Sequence, residues 1–251
     1  PFVALARNGC TEETGEAYGF NLIYSGNFAI DIETDTRGCS RLLMGINPTD
    51  FRWKLSPEES FTTPEAVLVY SDAGMGGMSR TFHKFYLNHL MRSEWAKKKR
   101  PLLINSWEAA YFDFDDDKLA AFAGEAQKLG IEMLVMDDGW FGKRNDDNSG
   151  LGDWFVNLDK LPGNLSSLSE KINAMGMKFG LWFEPEMISE DSDLYRAHPD
   201  WALQIPGRKP NRSRFQLVLD MSRREVRDYL FERMSGLIRE AKLAYIKWDK
   251  I

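Results

Sequence analysis

The chain has 251 residues, a formal net charge of −6, and 43% hydrophobic against 28% charged residues, which is the balance of a globular protein with a sizeable core. That charge, with no basic stripe, argues against a nucleic-acid partner, and no stretch approaches the ~18 apolar residues of a membrane span. Cys10 and Cys39 make neither a disulfide framework nor a metal site, and both a single pairing and a reduced chain remain open. Pro1-Phe2-Val3-Ala4 shows no start Met and no signal-peptide pattern, so the sequence reads as starting inside a longer protein.

The first ninety or so residues read as β structure. Tyr18, Phe20, Leu22 and Tyr24 alternate, Gly26-Asn27 is a turn signal, and Phe28, Ile30 and Ile32 alternate again; together they predict a hairpin. Glu65 to Tyr70 predicts a further strand, and Met78 to Trp95 a linker helix holding His83 and His89 in structural roles. The one basic run, Lys97-Lys98-Lys99-Arg100, reads as a solvated edge.

From Pro101 the pattern changes to alternating strands and helices. Leu102-Leu103-Ile104 predicts a strand ending at Asn105-Ser106-Trp107, and a helix follows from Asp115-Asp116-Asp117 to a stop at Gly130. Ile131–Met136 is the next strand, ending in Asp137-Asp138-Gly139-Trp140. A helix through Leu165, Leu168 and Ile172 stops at Gly176 and leads to a strand, Met177–Phe183, ending in Glu184-Pro185-Glu186. A long helix through Val226, Leu230, Met234 and Leu237 precedes the strand Leu243–Trp248. Such repetition implies parallel βαβ units. No glycine-rich phosphate loop follows the first strand, and polar residues stand at every strand's C-terminal end, as in a (β/α)8 barrel rather than a doubly wound sheet. About four strands fit, roughly half a barrel.

The strand ends supply Trp107, Asp137 with Asp138, Trp182 with Glu184, and Lys247 with Asp249. Residues two apart in a strand share a face, so Lys247 and Asp249 point the same way. A lysine beside an aspartate favours the ionised carboxylate that a glycosidic nucleophile needs, although for the spacing alone a plain strand-end salt bridge is the favoured reading. Asp137-Asp138 could be metal ligands, a capping loop or acceptors for sugar hydroxyls; the histidines His83, His89 and His198 lie elsewhere, which disfavours metal. Eight Trp among 13% aromatic residues suit stacking on a pyranose face.

Ile104–Ala109, Met136–Phe141, Leu181–Glu186, Tyr245–Asp249, the Arg214 and Leu217–Asp220 stretch, Tyr70-Ser71-Asp72 and Gly77-Met78-Ser79 together resemble glycoside hydrolase family 36, the bacterial α-galactosidases, over essentially the whole chain. The resemblance implies a retaining α-galactosidase acting on melibiose- or raffinose-type galactosides, with Asp249 as nucleophile. Asp137 and Asp138 would accept from the galactose O4 and O6 hydroxyls, Lys247 and Arg214 would bind ring hydroxyls, and Trp107 and Trp182 would wall the pocket. It implies no cofactor and no metal, a cytoplasmic bacterial homotetramer, and two regions. Residues 1–92 would close an N-terminal β-supersandwich and carry the linker helix. Residues 93–251 would form the first half of the catalytic barrel.

The family usually continues after the nucleophile with Met-Asn, where this chain has Lys250-Ile251. By the same resemblance the acid/base carboxyl would fall downstream of Ile251, and Glu184 and Glu186 would belong to the pocket wall. The chain alone is therefore expected to be inactive. Within the resembled family, α-N-acetylgalactosaminidase and galactosyl transfer are the alternative activities.

Overall fold

The computed structural model describes residues 1–49 and 51–250. It divides into two compact units, one running from Pro1 to Lys99 and the other starting at Arg100.

The first unit contains β1 (Phe2–Ala6), β2 (Ala17–Ile23), β3 (Phe28–Thr34), β4 (Ser40–Ile46), β5 (Glu65–Ser71) and α1 (Gly74–Phe85). β2 is the centre of an antiparallel sheet, flanked by β1 and β5. The hairpin predicted across Gly26-Asn27 does not form. β3 pairs instead with β4, and β2 and β3 lie in different sheets. Turn chemistry explains the difference: the Asp35 carboxylate accepts from the backbone N–H groups of Arg37 and Cys39 at 2.8 and 2.9 Å, and Gly38 takes a φ of 80°, so Asp35–Cys39 closes the tighter turn. The face of β2 is also set otherwise than by its aromatics. Tyr18 is exposed against Tyr70, while Ala17 and Gly19 are buried near Met78 and Phe82 of α1. The linker helix starts earlier than predicted and ends at Phe85, followed by a π turn, Tyr86–Leu90, and a 3-10 turn, Glu94–Ala96. His89 stacks on Phe85, and Lys97 to Arg100 are exposed.

The second unit contains β6 (Leu103–Asn105), α2 (Trp107–Ala110), α3 (Asp116–Lys128), β7 (Met133–Met136), α4 (Asn164–Ala174), β8 (Lys178–Phe183), β9 (Met187–Ser189), α5 (Asp193–Ala197), β10 (Gln216–Val218), α6 (Arg224–Glu240) and β11 (Tyr245–Trp248). β6, β7, β8 and β11 lie side by side in chain order, and every pairing is parallel. Each crossover is a helix with one apolar stripe: Leu119, Ala123 and Ala126 on α3, Leu165, Leu168 and Ile172 on α4, Val226, Leu230, Met234 and Leu237 on α6. Asp115 caps α3, its carboxylate accepting from Lys118 N–H at 2.8 Å. All of Met133–Met136 and Phe179–Phe183 are buried, because the central strands of a helix-covered parallel sheet meet apolar side chains on both faces.

α2, α5 and the antiparallel ribbon of β9 and β10 were not foreseen. Elements of three to five residues are too short to display a hydrophobic period.

A Cβ at Gly19 would stand 2.4 Å from Phe82 and 2.7 Å from Met78, whereas one at Gly124 would meet nothing within 4 Å. Gly19→Val should therefore destabilise by about 1–3 kcal/mol through overpacking, while Gly124→Ala in α3 should stabilise by roughly 0.5–1 kcal/mol. Denaturant unfolding of each variant beside the parent measures both.

Candidate active site

The four parallel strands end together, and their last residues are tied to one another by side chains. At the end of β6, Ser106 Oγ accepts from Asp137 N–H at 3.0 Å, and Asn105 Nδ2 donates to Asp137 Oδ2 at 2.6 Å. From β11, Lys247 Nζ reaches the same oxygen at 2.8 Å. Asp137 Oδ1 meanwhile accepts from Asp138 N–H at 3.0 Å, which fixes the carboxylate plane. Asn105 Oδ1 accepts from Trp107 N–H at 2.8 Å and so starts α2 with the indole next in line.

Asp249 follows β11, held to β8 by its N–H donating to Phe183 C=O at 2.8 Å. Trp182 Nε1 donates to Asp249 Oδ2 at 3.0 Å, and Lys250 N–H donates to Oδ1 at 3.0 Å, so one donor sits on each carboxylate oxygen. Lys247 Nζ is 4.0 Å from Asp249 Oδ2. The lysine that the spacing assigned to Asp249 thus binds Asp137 more closely, because the neighbouring strand end comes nearer than the residue two places on.

Asp138 is held in a buried ion pair. Arg144 clamps it in bidentate fashion, Nη2 to Oδ2 at 2.7 Å and Nε to Oδ1 at 3.0 Å, with the guanidinium only 1% exposed. Arg144 Nη1 also donates to Ser149 C=O at 2.9 Å, closing the loop between β7 and α4. Burial raises the Asp138 pKa above the usual carboxylate range, and the Arg144 hydrogen bonds and charge oppose that rise. Lys160 supports the same loop, donating to the carbonyls of Phe112, Gly139 and Arg144 at 3.0, 2.9 and 3.3 Å while lying over the Phe114 ring.

Glu184, just past β8, is buried and accepts from Gln216 Nε2 of β10 at 2.7 Å. Burial pushes its carboxyl up to about 7, the Gln216 hydrogen bond opposing and the Asp249 charge adding to the rise. Beneath these groups Trp182 lies parallel to Phe141 at 6.1 Å, within a buried cluster that includes Trp140, Trp154 and Phe183.

Of the seven residues predicted for the site, side-chain contacts join Asp137, Lys247, Asp249 and Trp182. Asp138 is adjacent but engaged by Arg144. Trp107 is half-buried, edge-on to Tyr111 and Phe112, each 5.1 Å away. Arg214 stands exposed in the turn before β10 at a φ of 52°, with no ion pair among the described residues. Ile251 lies outside the described residues. Arg144, Gln216 and Lys160 were not predicted; each is an unremarkable polar residue in a loop or short strand, singled out by burial for Arg144 and Gln216 and by its three carbonyl contacts for Lys160. Among the described residues no group of three or more His, Cys, Asp or Glu could hold a metal ion, and no helix is long and apolar enough to cross a membrane.

Carboxylates, a lysine and an indole gathered at the parallel strand ends define an α/β unit with a polar, hydrogen-bonded cluster where such units place functional residues. Comparison with known proteins gives its family. The family model described as Melibiase matches residues 60–251, and that of the glycosyl hydrolase family 36 N-terminal domain matches residues 1–56. The chain belongs to glycoside hydrolase family 36. It is 52% identical to the α-galactosidase AgaA of Geobacillus stearothermophilus, covering 99% of this chain and 34% of that protein. It is 54% identical to the bifunctional α-galactosidase/sucrose kinase AgaSK of Mediterraneibacter gnavus, covering 99% and 27%. The crystal structure of the Lactobacillus brevis α-galactosidase superposes with a TM-score of 0.96 at 53% identity, covering 99% of this chain and 34% of that one. The chain thus spans about a third of the length of the first two α-galactosidases from single-activity relatives that it matches.

Removing Arg144 would leave Asp138 buried and uncompensated, so Arg144→Leu should cost about 3–5 kcal/mol at neutral pH. A carboxyl whose folded-state pKa is raised holds its proton more tightly when folded, so the penalty should shrink as pH falls toward about 4. Unfolding free energies measured at both pH values check this.

Proposed function

We propose that the complete protein carrying this chain is a retaining α-galactosidase that hydrolyses terminal α-galactosyl residues of melibiose- and raffinose-type oligosaccharides. The observation that carries the proposal is the Asp249 carboxylate, oriented by one N–H donor on each oxygen, with the Lys247 ammonium 4.0 Å away. Such a carboxylate is suited to attack an anomeric carbon, forming a galactosyl ester as the aglycone leaves with a proton from an acid, after which water hydrolyses the ester. Two solved relatives support the substrate class: variants of the Geobacillus AgaA enzyme in complex with raffinose and with stachyose.

In this reading Asp137 and Asp138 accept from the galactose O4 and O6 hydroxyls, Lys247 and Arg214 bind ring hydroxyls, and Trp107 and Trp182 line the pocket. Residues 93–251 are the first half of a (β/α)8 barrel, a reading supported by four parallel strands in chain order with helical crossovers. Residues 1–92 close a β-supersandwich and lead into the barrel. The second carboxyl, needed at roughly 5 Å from the nucleophile, comes from the part of the relatives' length that this chain does not span. A cytoplasmic homotetramer, with no cofactor, completes the proposal.

In the complete enzyme, Asp249→Ala should lower turnover of an aryl α-galactoside by roughly 10⁴-fold or more. Added azide should restore turnover, giving β-galactosyl azide, because the small anion enters from the face that the carboxylate vacated. Substantial azide-independent activity in the variant would remove Asp249 from the role of nucleophile.

A further inference from the structure

Among the described residues, Glu184 is the deeply buried carboxyl at the strand ends that has no ion pair. Asp137 has Lys247 and Asp138 has Arg144, whereas one oxygen of Glu184 accepts from the Gln216 amide and the other has no hydrogen-bond partner among the described residues. Both partners are almost fully enclosed, Glu184 at 2% and Gln216 at 1% exposure. A hydrogen bond shut away from water is costly to leave half made, so it holds its two backbone segments in register.

Those segments are informative. Glu184 lies two residues beyond Trp182, whose indole holds Asp249. Gln216 is the first residue of β10, and its N–H donates to Ser213 C=O at 3.1 Å, closing the turn that contains Arg214. Arg214 has a left-handed φ of 52° there, a backbone state that a non-glycine residue keeps only when its surroundings impose it. On the far side, Gln216 pairs with Ser189 of β9 and Arg212, next to the same turn, pairs with Glu190, while Glu184 ties β10 by a side chain to the strand end.

We infer that Glu184 and Gln216 are a positioning pair for the proposed reaction: their buried hydrogen bond fastens the turn carrying Arg214 to the strand end carrying Trp182, and so sets Arg214 relative to Asp249. The inference rests on the proposed galactosidase reading. It assigns Glu184 no contact with the reacting atoms. A carboxyl titrating at about 7 among Asp249, Asp138 and Arg144 is neutral over the acid side of that range, so glutamine is its closest mimic.

The test is steady-state kinetics of the complete enzyme on an aryl α-galactoside. Glu184→Gln should stay within about threefold of the parent. Glu184→Leu and Gln216→Leu should each raise KM by roughly tenfold or more with a smaller change in kcat, since a misplaced binding group is what is lost. In an Arg214→Ala background, Glu184→Leu should add less than about twofold, because the two act through one route. Gln216→Leu gives the same reading if Glu184→Leu does not fold. A Glu184→Gln variant as damaged as Glu184→Leu, a silent Gln216→Leu, or a full penalty from Glu184→Leu without Arg214 would overturn the inference alone. A parent enzyme inert toward every α-galactoside would overturn the functional reading with it.

Discussion

One carboxylate oxygen organises the strand ends. Asp137 Oδ2 receives Asn105 Nδ2 from β6 and Lys247 Nζ from β11, and its own backbone continues β7. Three of four parallel strands are thereby joined through a single acceptor, and the fourth, β8, joins through Trp182 and Asp249. An anion with 5% side-chain exposure is tolerable only because a cation and an amide reach it together. The geometry of Asp249 depends on this, since Lys247 and Asp249 share the end of one strand.

The strand ends handle their three buried carboxyls differently. Among the described residues, Asp137 has an ammonium, Asp138 has a bidentate guanidinium, and Glu184 has only an amide. Burial drives the latter two upward in pKa, and for Asp138 a full positive charge works against it. Buried carboxyls whose pKa is raised, gathered at the strand ends, are characteristic of functional sites rather than of stability, which a plain apolar core would serve better.

Much of this was legible in the sequence, and the reasons differ by element. The strands and helices of the second unit announce themselves because β7 and β8 are continuous apolar runs and α3, α4 and α6 carry clean 3.6-residue stripes. Asp137, Lys247, Asp249 and Trp182 stand out because strand ends in such units gather polar residues. Pairing in the first unit was not legible: the alternation of β2 and β3 is real, but alternation says nothing of which strand lies alongside, and the Asp35–Cys39 turn decided it. Nor was the primary partner of Lys247, since spacing compares residues along one strand while Asp137 comes from another. Arg144 and Gln216 carry no local signal at all; their importance is their enclosure.

The central claim, that Asp249 is the nucleophile, is tested most directly by trapping the ester. The complete enzyme would be treated with 5-fluoro-α-galactosyl fluoride, digested, and sequenced by mass spectrometry. The account predicts one galactosyl label, on Asp249. A label on Glu184, Asp137 or any other carboxyl, with Asp249 unmodified, would contradict it.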